Sequence, residues 1–247
     1  MNEASGPPGC RAGGVKRGAV DYRLYLVTDS GLSRGRSAAL VVAAALRGGV
    51  TVVQYREKEG TTREIVEEAS RIRRLCADAG VPFIVNDRLD IALAVEADGL
   101  HVGQDDLPAA TARRLIGPAR ILGVSAGSTE EALAAQADGA DYIGASPVFD
   151  TPTKPDAPPA VGVEGLRRMA AAARVPVVGI GGMNAGNAGA IIAAGGAGVA
   201  VVSAIVSAED VEAAARLIRR AVDAAMRDRE GGPASSRSSG IERKQPK

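Results

Sequence analysis

The chain has 247 residues, with 30 Lys and Arg against 29 Asp and Glu, for a formal net charge of +1. That balance removes the electrostatic case for a general nucleic-acid or membrane surface, and 2% aromatics without Trp removes base-stacking platforms. At 46% hydrophobic and 24% charged the composition is that of a soluble globular protein, so an anionic ligand must be met by a local cluster of cations. The two cysteines, Cys10 and Cys76, give neither a disulfide framework nor metal-ligand spacing, which suits a reducing compartment. Residues 1–20 are rich in Gly and Pro and lack an apolar signal-peptide core, and the longest apolar run, 38–46, is too short to span a bilayer. A cytoplasmic protein is the expectation.

Residues 1–19 read as a disordered leader and 231–247, rich in Gly, Ser, Arg and Lys, as a disordered tail. Between them short apolar strands are predicted at 23–28, 50–55, 82–86, 99–102, 121–125, 142–145, 177–180 and 198–202. Ala-rich helices are predicted at 36–47, 62–79, 88–95, 108–116, 129–137, 163–173, 184–194 and 209–227. Strict alternation with no break in composition argues one parallel α/β domain over 20–230. A weak repeat supports it. Leu46-Arg47-Gly48-Gly49, Glu96-Ala97-Asp98-Gly99, Gln136-Ala137-Asp138-Gly139 and Ala194-Gly195-Gly196 each close a helix just before an apolar strand, with glycine as the left-handed cap. Eight such units fit a (β/α)8 TIM barrel. The alternative, an open doubly wound sheet, usually has fewer strands, and no Gly-x-Gly-x-x-Gly follows the first strand here.

In a barrel the active site is built at the carboxyl ends of the strands. Strand two runs from a fully apolar stretch into Gln54, Arg56 and Lys58, a cluster no core could hold. Strand three ends in Asn86-Asp87, strand four in His101-Val102-Gly103-Gln104-Asp105-Asp106, and strand five in Ser125. The loop after strand six carries Thr151-Pro152-Thr153-Lys154, strand seven ends in Gly181-Gly182, and strand eight in Val202-Ser203. Two kinds of group separate. Gly181-Gly182 before a helix, with Ser203, offers neutral donors suited to a phosphate monoester. Arg56, Lys58 and Lys154 with the carboxylates of Asp87 and Asp106 form a charged half, and oxygen ligands from different strand ends are how Mg²⁺ is usually held. Structural alternatives stand beside each: a tight turn for Gly181-Gly182, a helix N-cap for Asp87, loop and first-turn charges for Asp105-Asp106. His101, the only histidine, reads as a satisfied core residue, and Cys76 as a small hydrophobe within a helix. No nucleophile or tuned base is evident.

In order along the chain, Gln54-Tyr55-Arg56-Glu57-Lys58, Val85-Asn86-Asp87, Asp98-Gly99-Leu100-His101-Val102-Gly103-Gln104, Gly123-Val124-Ser125, Thr151-Pro152-Thr153-Lys154 and Gly179-Ile180-Gly181-Gly182 resemble the thiamine-phosphate synthase family. The resemblance runs from about Tyr22 to Val222. It implies a TIM barrel that uses Mg²⁺ to join 4-amino-2-methyl-5-hydroxymethylpyrimidine diphosphate to 4-methyl-5-(2-phosphoethyl)thiazole, releasing pyrophosphate. It further implies that Gln54, Tyr55, Arg56, Glu57, Lys58, Asn86, Ser125 and Lys154 bind the pyrimidine diphosphate, with Arg56, Lys58, Ser125 and Lys154 carrying the catalysis. Asp87 and Asp106 would hold the metal. Thr151, Pro152, Thr153, Gly182, Val202 and Ser203 would hold the thiazole phosphate. Implied partners are these small molecules alone, with no nucleic acid and no membrane; a homo-oligomer is compatible with the sequence.

A related family on the same barrel, the aromatizing thiazole tautomerases, resembles this chain less. It needs an acid/base histidine shortly after the strand-five serine, where Ala126-Gly127-Ser128 stand here. A non-catalytic barrel that senses thiamine intermediates would not need a clamp for a leaving group. Two departures from the family pattern, Ser146-Pro147 in place of Gly-Pro and Pro155 after Lys154, fall in the loop 146–160. That loop is expected to act as a lid.

Overall fold

Strand parity builds this molecule. In β1 (Leu24–Val27) and β2 (Val52–Tyr55) alternate residues point to opposite faces, so Tyr25, Val27 and Val52 enter one apolar cluster and Leu24, Leu26, Val53 and Tyr55 another. The same alternation runs through β3 (Phe83–Asn86), β4 (Gly99–Val102), β5 (Ile121–Ala126), β6 (Tyr142–Ala145), β7 (Val177–Ile180) and β8 (Gly198–Val201). All eight strands pair in parallel in sequence order and β8 closes on β1, giving a (β/α)8 barrel. This computed structural model describes residues 20–151 and 159–231. The disorder expected of both tails and residues 152–158 of the loop expected to act as a lid, Pro152, Thr153 and Lys154 among them, lie outside the described residues.

Burial on both faces explains why the strands read as unbroken apolar runs. The inner cluster holds Tyr22, Tyr25, Ile84, Ile121, Tyr142, Val178 and Ala200; the outer one packs the sheet against the helices. The helices are α1 (Ala38–Arg47), α2 (Thr62–Ala79), α3 (Leu89–Ala94), α4 (Ala109–Ile116), α5 (Thr129–Ala137), α6 (Gly162–Ala172), α7 (Ala188–Ala193), α8 (Ser203–Val206) and α9 (Val211–Glu230). Local chemistry sets their ends. Thr61 and Glu64 cap α2 reciprocally at its start, and Gly80 at φ 66° stops it. Asp210 accepts from the Ala213 amide to start α9.

Several details differ from the sequence-based expectation. The segment 184–194 is not helical throughout, because Asn187 Oδ1 accepts from the Asn184 amide and Asn184 Oδ1 from that of Gly186, which delays α7 to Ala188. In the repeat ending at Gly99 it is Glu96 that takes the left-handed position, at φ 52°, while Gly99 lies inside β4. A Cβ at Gly99 would sit 2.4 Å from the Ile121 carbonyl oxygen, so that glycine serves strand packing and not a cap. The short α8 directly after β8 and a 3₁₀ turn at Ser30–Leu32 carry no strong periodicity and were not expected. Among the described residues no helix is long and apolar enough to cross a membrane.

Candidate active site

The inward-facing residues of the last strand turns form the floor of a cavity of about 330 Å³ at the carboxyl ends of the strands. Gln54, Asn86, His101 and Ser125 supply its polar floor; Val27, Ile180 and Val202 supply the apolar part. Arg56, Lys58, Asp87, Asp105, Asp106 and Gln104 rise on one side. Ser146, Thr151, Gly181, Gly182 and Ser203 rise on the other. The two sets that the sequence separated into charged and neutral halves thus share one mouth. Tyr55 and Glu57 do not line it. Parity sends Tyr55 outward into the layer beneath the helices, and the Glu57 carboxylate accepts from Ser30 Oγ and from the Lys58 and Glu59 amides.

Asp29 is a neighbour of the site that sequence reasoning missed. Its Oδ2 lies 2.7 Å from Arg56 Nη1, and both side chains are largely buried. Thr28 Oγ1 accepts from the Arg56 amide and donates to the Arg56 carbonyl, so the end of β1 holds Arg56 by its backbone and, through Asp29, by its guanidinium. The rule that found the other residues, the carboxyl end of each strand, points to Asp29 as soon as it is applied to β1 as well.

Asp87 has φ 57°, a left-handed conformation that Asp tolerates better than most residues at a cost on the order of 1 kcal/mol. Its amide donates to the His101 carbonyl at 2.8 Å, which holds the turn, and its carboxylate lies 2.5 Å from Lys58 Nζ. Arg88, not Asp87, occupies the N-cap of α3, and no side chain caps that helix. Asp106 Oδ2 accepts from the Gly103 amide at 2.8 Å. Burial pushes the Asp106 carboxyl above the usual carboxylate range, and the Asp87 carboxyl within hydrogen-bonding reach pushes it further. A buried Asp106 carboxyl facing the Asp87 carboxyl beside a single ammonium is what a divalent cation relieves. Among the described residues no group of three or more His, Cys, Asp or Glu gathers, so the protein would supply few of the ligands and a phosphate-bearing substrate the others. That donor set fits Mg²⁺.

His101 is buried, with Nδ1 2.8 Å from the Tyr142 hydroxyl and Nε2 3.0 Å from Ser125 Oγ. Burial pushes its pKa down to about 4, so the ring is neutral near pH 7. It is satisfied, as the sequence suggested, yet it also touches the floor of the site. Its linkage has a definite sign: the unfolded chain binds a proton near pH 6.5 and the native chain does not, so stability falls as pH drops from about 6.5 towards 4. Between about pH 7.5 and 4.5, urea unfolding should show the wild type losing roughly 2 kcal/mol more than His101→Asn. Equal losses would mean that the imidazole is not held neutral.

A closed eight-stranded parallel barrel with its polar cavity at the carboxyl ends of the strands defines a (β/α)8-barrel enzyme. Residues 24–205 match the family model described as thiamine monophosphate synthase. The chain is 59% identical over 203 residues to the thiamine-phosphate synthase of Chloroflexus aurantiacus, covering 82% of this chain and 94% of that one. It is 56% identical over 201 residues to that of Moorella thermoacetica, covering 81% and 96%. The solved thiamine phosphate pyrophosphorylase from Pyrococcus furiosus superposes with a TM-score of 0.77 at 40% identity, covering 84% of this chain and 98% of that one. The chain belongs to the thiamine-phosphate synthase family.

Proposed function

We propose that this barrel, residues 20–230, makes thiamine phosphate at its mouth, with the pyrimidine diphosphate on the charged side and the thiazole phosphate on the neutral side. The observation that carries the reading is the meeting of two unlike anion-binding surfaces in one cavity: Arg56, Lys58, Asp87 and Asp106 facing Gly181, Gly182 and Ser203. A synthase that releases pyrophosphate while keeping a phosphate monoester needs both. The tautomerase reading lacks its histidine, since His101 precedes Ser125 and is held between two hydroxyls. The family resemblance adds Lys154, Pro152 and Thr153 to the set.

Arg56, Lys58 and Lys154 neutralise the diphosphate, with Arg56 aimed by Asp29. Asp87 and Asp106 would hold Mg²⁺, which when bound supplies further charge neutralisation on the diphosphate oxygens. The C–O bond to the diphosphate breaks with its electron pair leaving on oxygen, and the aminopyrimidine stabilises the methylene cation that remains. The thiazole nitrogen then attacks with its lone pair to form the C–N bond. No proton is removed, which accounts for a site without a tuned base. What the residues supply is leaving-group stabilisation and alignment of the two rings.

Calorimetry on the two substrates separately tests this layout. Ser203→Ala removes one neutral donor to a charged acceptor, so thiazole phosphate binding should weaken by roughly 1.5–3 kcal/mol while pyrimidine diphosphate binding changes little. The opposite pattern would mean that the two sides are reversed.

A further inference from the structure

The interior of this barrel carries an unbroken hydrogen-bonded chain from one wall of the mouth to the other. Gln54 Nε2 on β2 donates to the Tyr25 hydroxyl at 2.9 Å, and the Tyr25 and Tyr142 hydroxyls lie 2.7 Å apart. Tyr142 reaches His101 Nδ1 at 2.8 Å, and His101 Nε2 reaches Ser125 Oγ on β5 at 3.0 Å. Barrel interiors are usually filled by branched hydrocarbons. Here two glycines vacate the volume these polar rings occupy: a Cβ on Gly123 would stand 2.1 Å from Tyr142 Cζ, and one on Gly144 3.3 Å from His101 Cε1.

Donor counting gives the chain a direction. An amide nitrogen can only donate, so the Tyr25 oxygen accepts from Gln54 and its own proton must go to Tyr142, the remaining partner of a fully buried hydroxyl. The Tyr142 proton then goes to His101 Nδ1. That makes Nδ1 an acceptor and leaves the imidazole proton on Nε2, donated to Ser125 Oγ.

We infer that Tyr25, Tyr142 and His101 are positioning residues that lock His101 as its Nε2–H tautomer and thereby leave the Ser125 hydroxyl proton free to donate to an acceptor atom of the pyrimidine diphosphate. The inference rests on the proposed assignment of Ser125 to that substrate. Reversed, the chain would tie the Ser125 proton to the imidazole and present the mouth with an acceptor, which repels a diphosphate. Gln54 begins the same chain and lines the same cavity, so the two walls of the mouth are ordered together.

His101 is the only histidine in the sequence, so the imidazole region of a long-range proton–nitrogen spectrum of the ¹⁵N-labelled full chain reports this ring alone. Near pH 7.5, Nε2 should appear protonated and Nδ1 unprotonated. Tyr142→Phe removes the donor to Nδ1 and should mix the tautomers, with kcat/KM for the pyrimidine diphosphate falling roughly ten-fold and KM for the thiazole phosphate unchanged. Tyr25→Phe leaves Tyr142 still donating to His101, so the tautomer should persist and the loss of kcat/KM should be smaller. A protonated Nδ1 in the wild type overturns the proposal. So does a Tyr142→Phe protein with unchanged tautomer and unchanged kcat/KM. The expected tautomer in a chain that makes no thiamine phosphate would uphold the direction of the chain and sink the functional reading on which Ser125's role rests.

Discussion

Asp87→Ala and Asp106→Ala should each lower turnover by about 10²–10³-fold, the usual scale for removing one electrostatic stabiliser of a developing anion. Both should leave unfolding unchanged to within about 1 kcal/mol, because these side chains line an open mouth and fill no core. Asp87→Ala also places a side chain that tolerates the left-handed conformation less well than Asp does, so Asp87→Gly is the companion variant that separates conformation from charge. Asp105→Ala should be mild, since among the described residues Asp105 makes no hydrogen bond comparable to that of Asp106 with the Gly103 amide. Initial rates across a Mg²⁺ titration check the assignment. An Asp106→Ala enzyme with normal turnover at limiting Mg²⁺ would remove Asp106 from the metal site.

Gly123→Ala should strongly destabilise the barrel interior. Its Cβ would fall 2.1 Å from Tyr142 Cζ and 2.3 Å from the Tyr142 hydroxyl oxygen, so the ring must leave its place. Overpacking costs 1–3 kcal/mol in a yielding core. Here the displaced ring also surrenders its bonds to Tyr25 and His101, so a loss of about 3 kcal/mol or more is expected in denaturant unfolding. Gly123→Ala combined with Tyr142→Val relieves the clash but restores neither hydrogen bond, so it should recover only part of the stability, and not the activity, because the chain to Ser125 stays broken. Gly123→Ala with wild-type stability would show that the interior is looser than these contacts describe.

The barrel was legible in the sequence because its two signals are local. Val50-Thr51-Val52-Val53 reads as a strand buried on both faces, and the polar Gln54, Arg56 and Lys58 at its end point to a cavity or to solvent. The parity within such a run was not legible. With both faces apolar nothing in the sequence says that Gln54 points inward and Tyr55 outward, and only pairing register decides it. Asp29 was hidden because its partner Arg56 is 27 residues away across a strand pair. The tyrosines were hidden for the same reason, since Tyr25 and Tyr142 meet only once the barrel closes. His101 reads as a core residue or as a site residue, and it is both: buried among rings, with one nitrogen on Ser125.

Simultaneous measurement of pyrophosphate and thiamine phosphate, made by the full chain from both substrates with Mg²⁺, tests the central claim most directly. Equal amounts of the two products are expected at every time point, and little pyrophosphate when the thiazole phosphate is withheld. Absence of thiamine phosphate, or pyrophosphate released at the same rate without the thiazole, would contradict it.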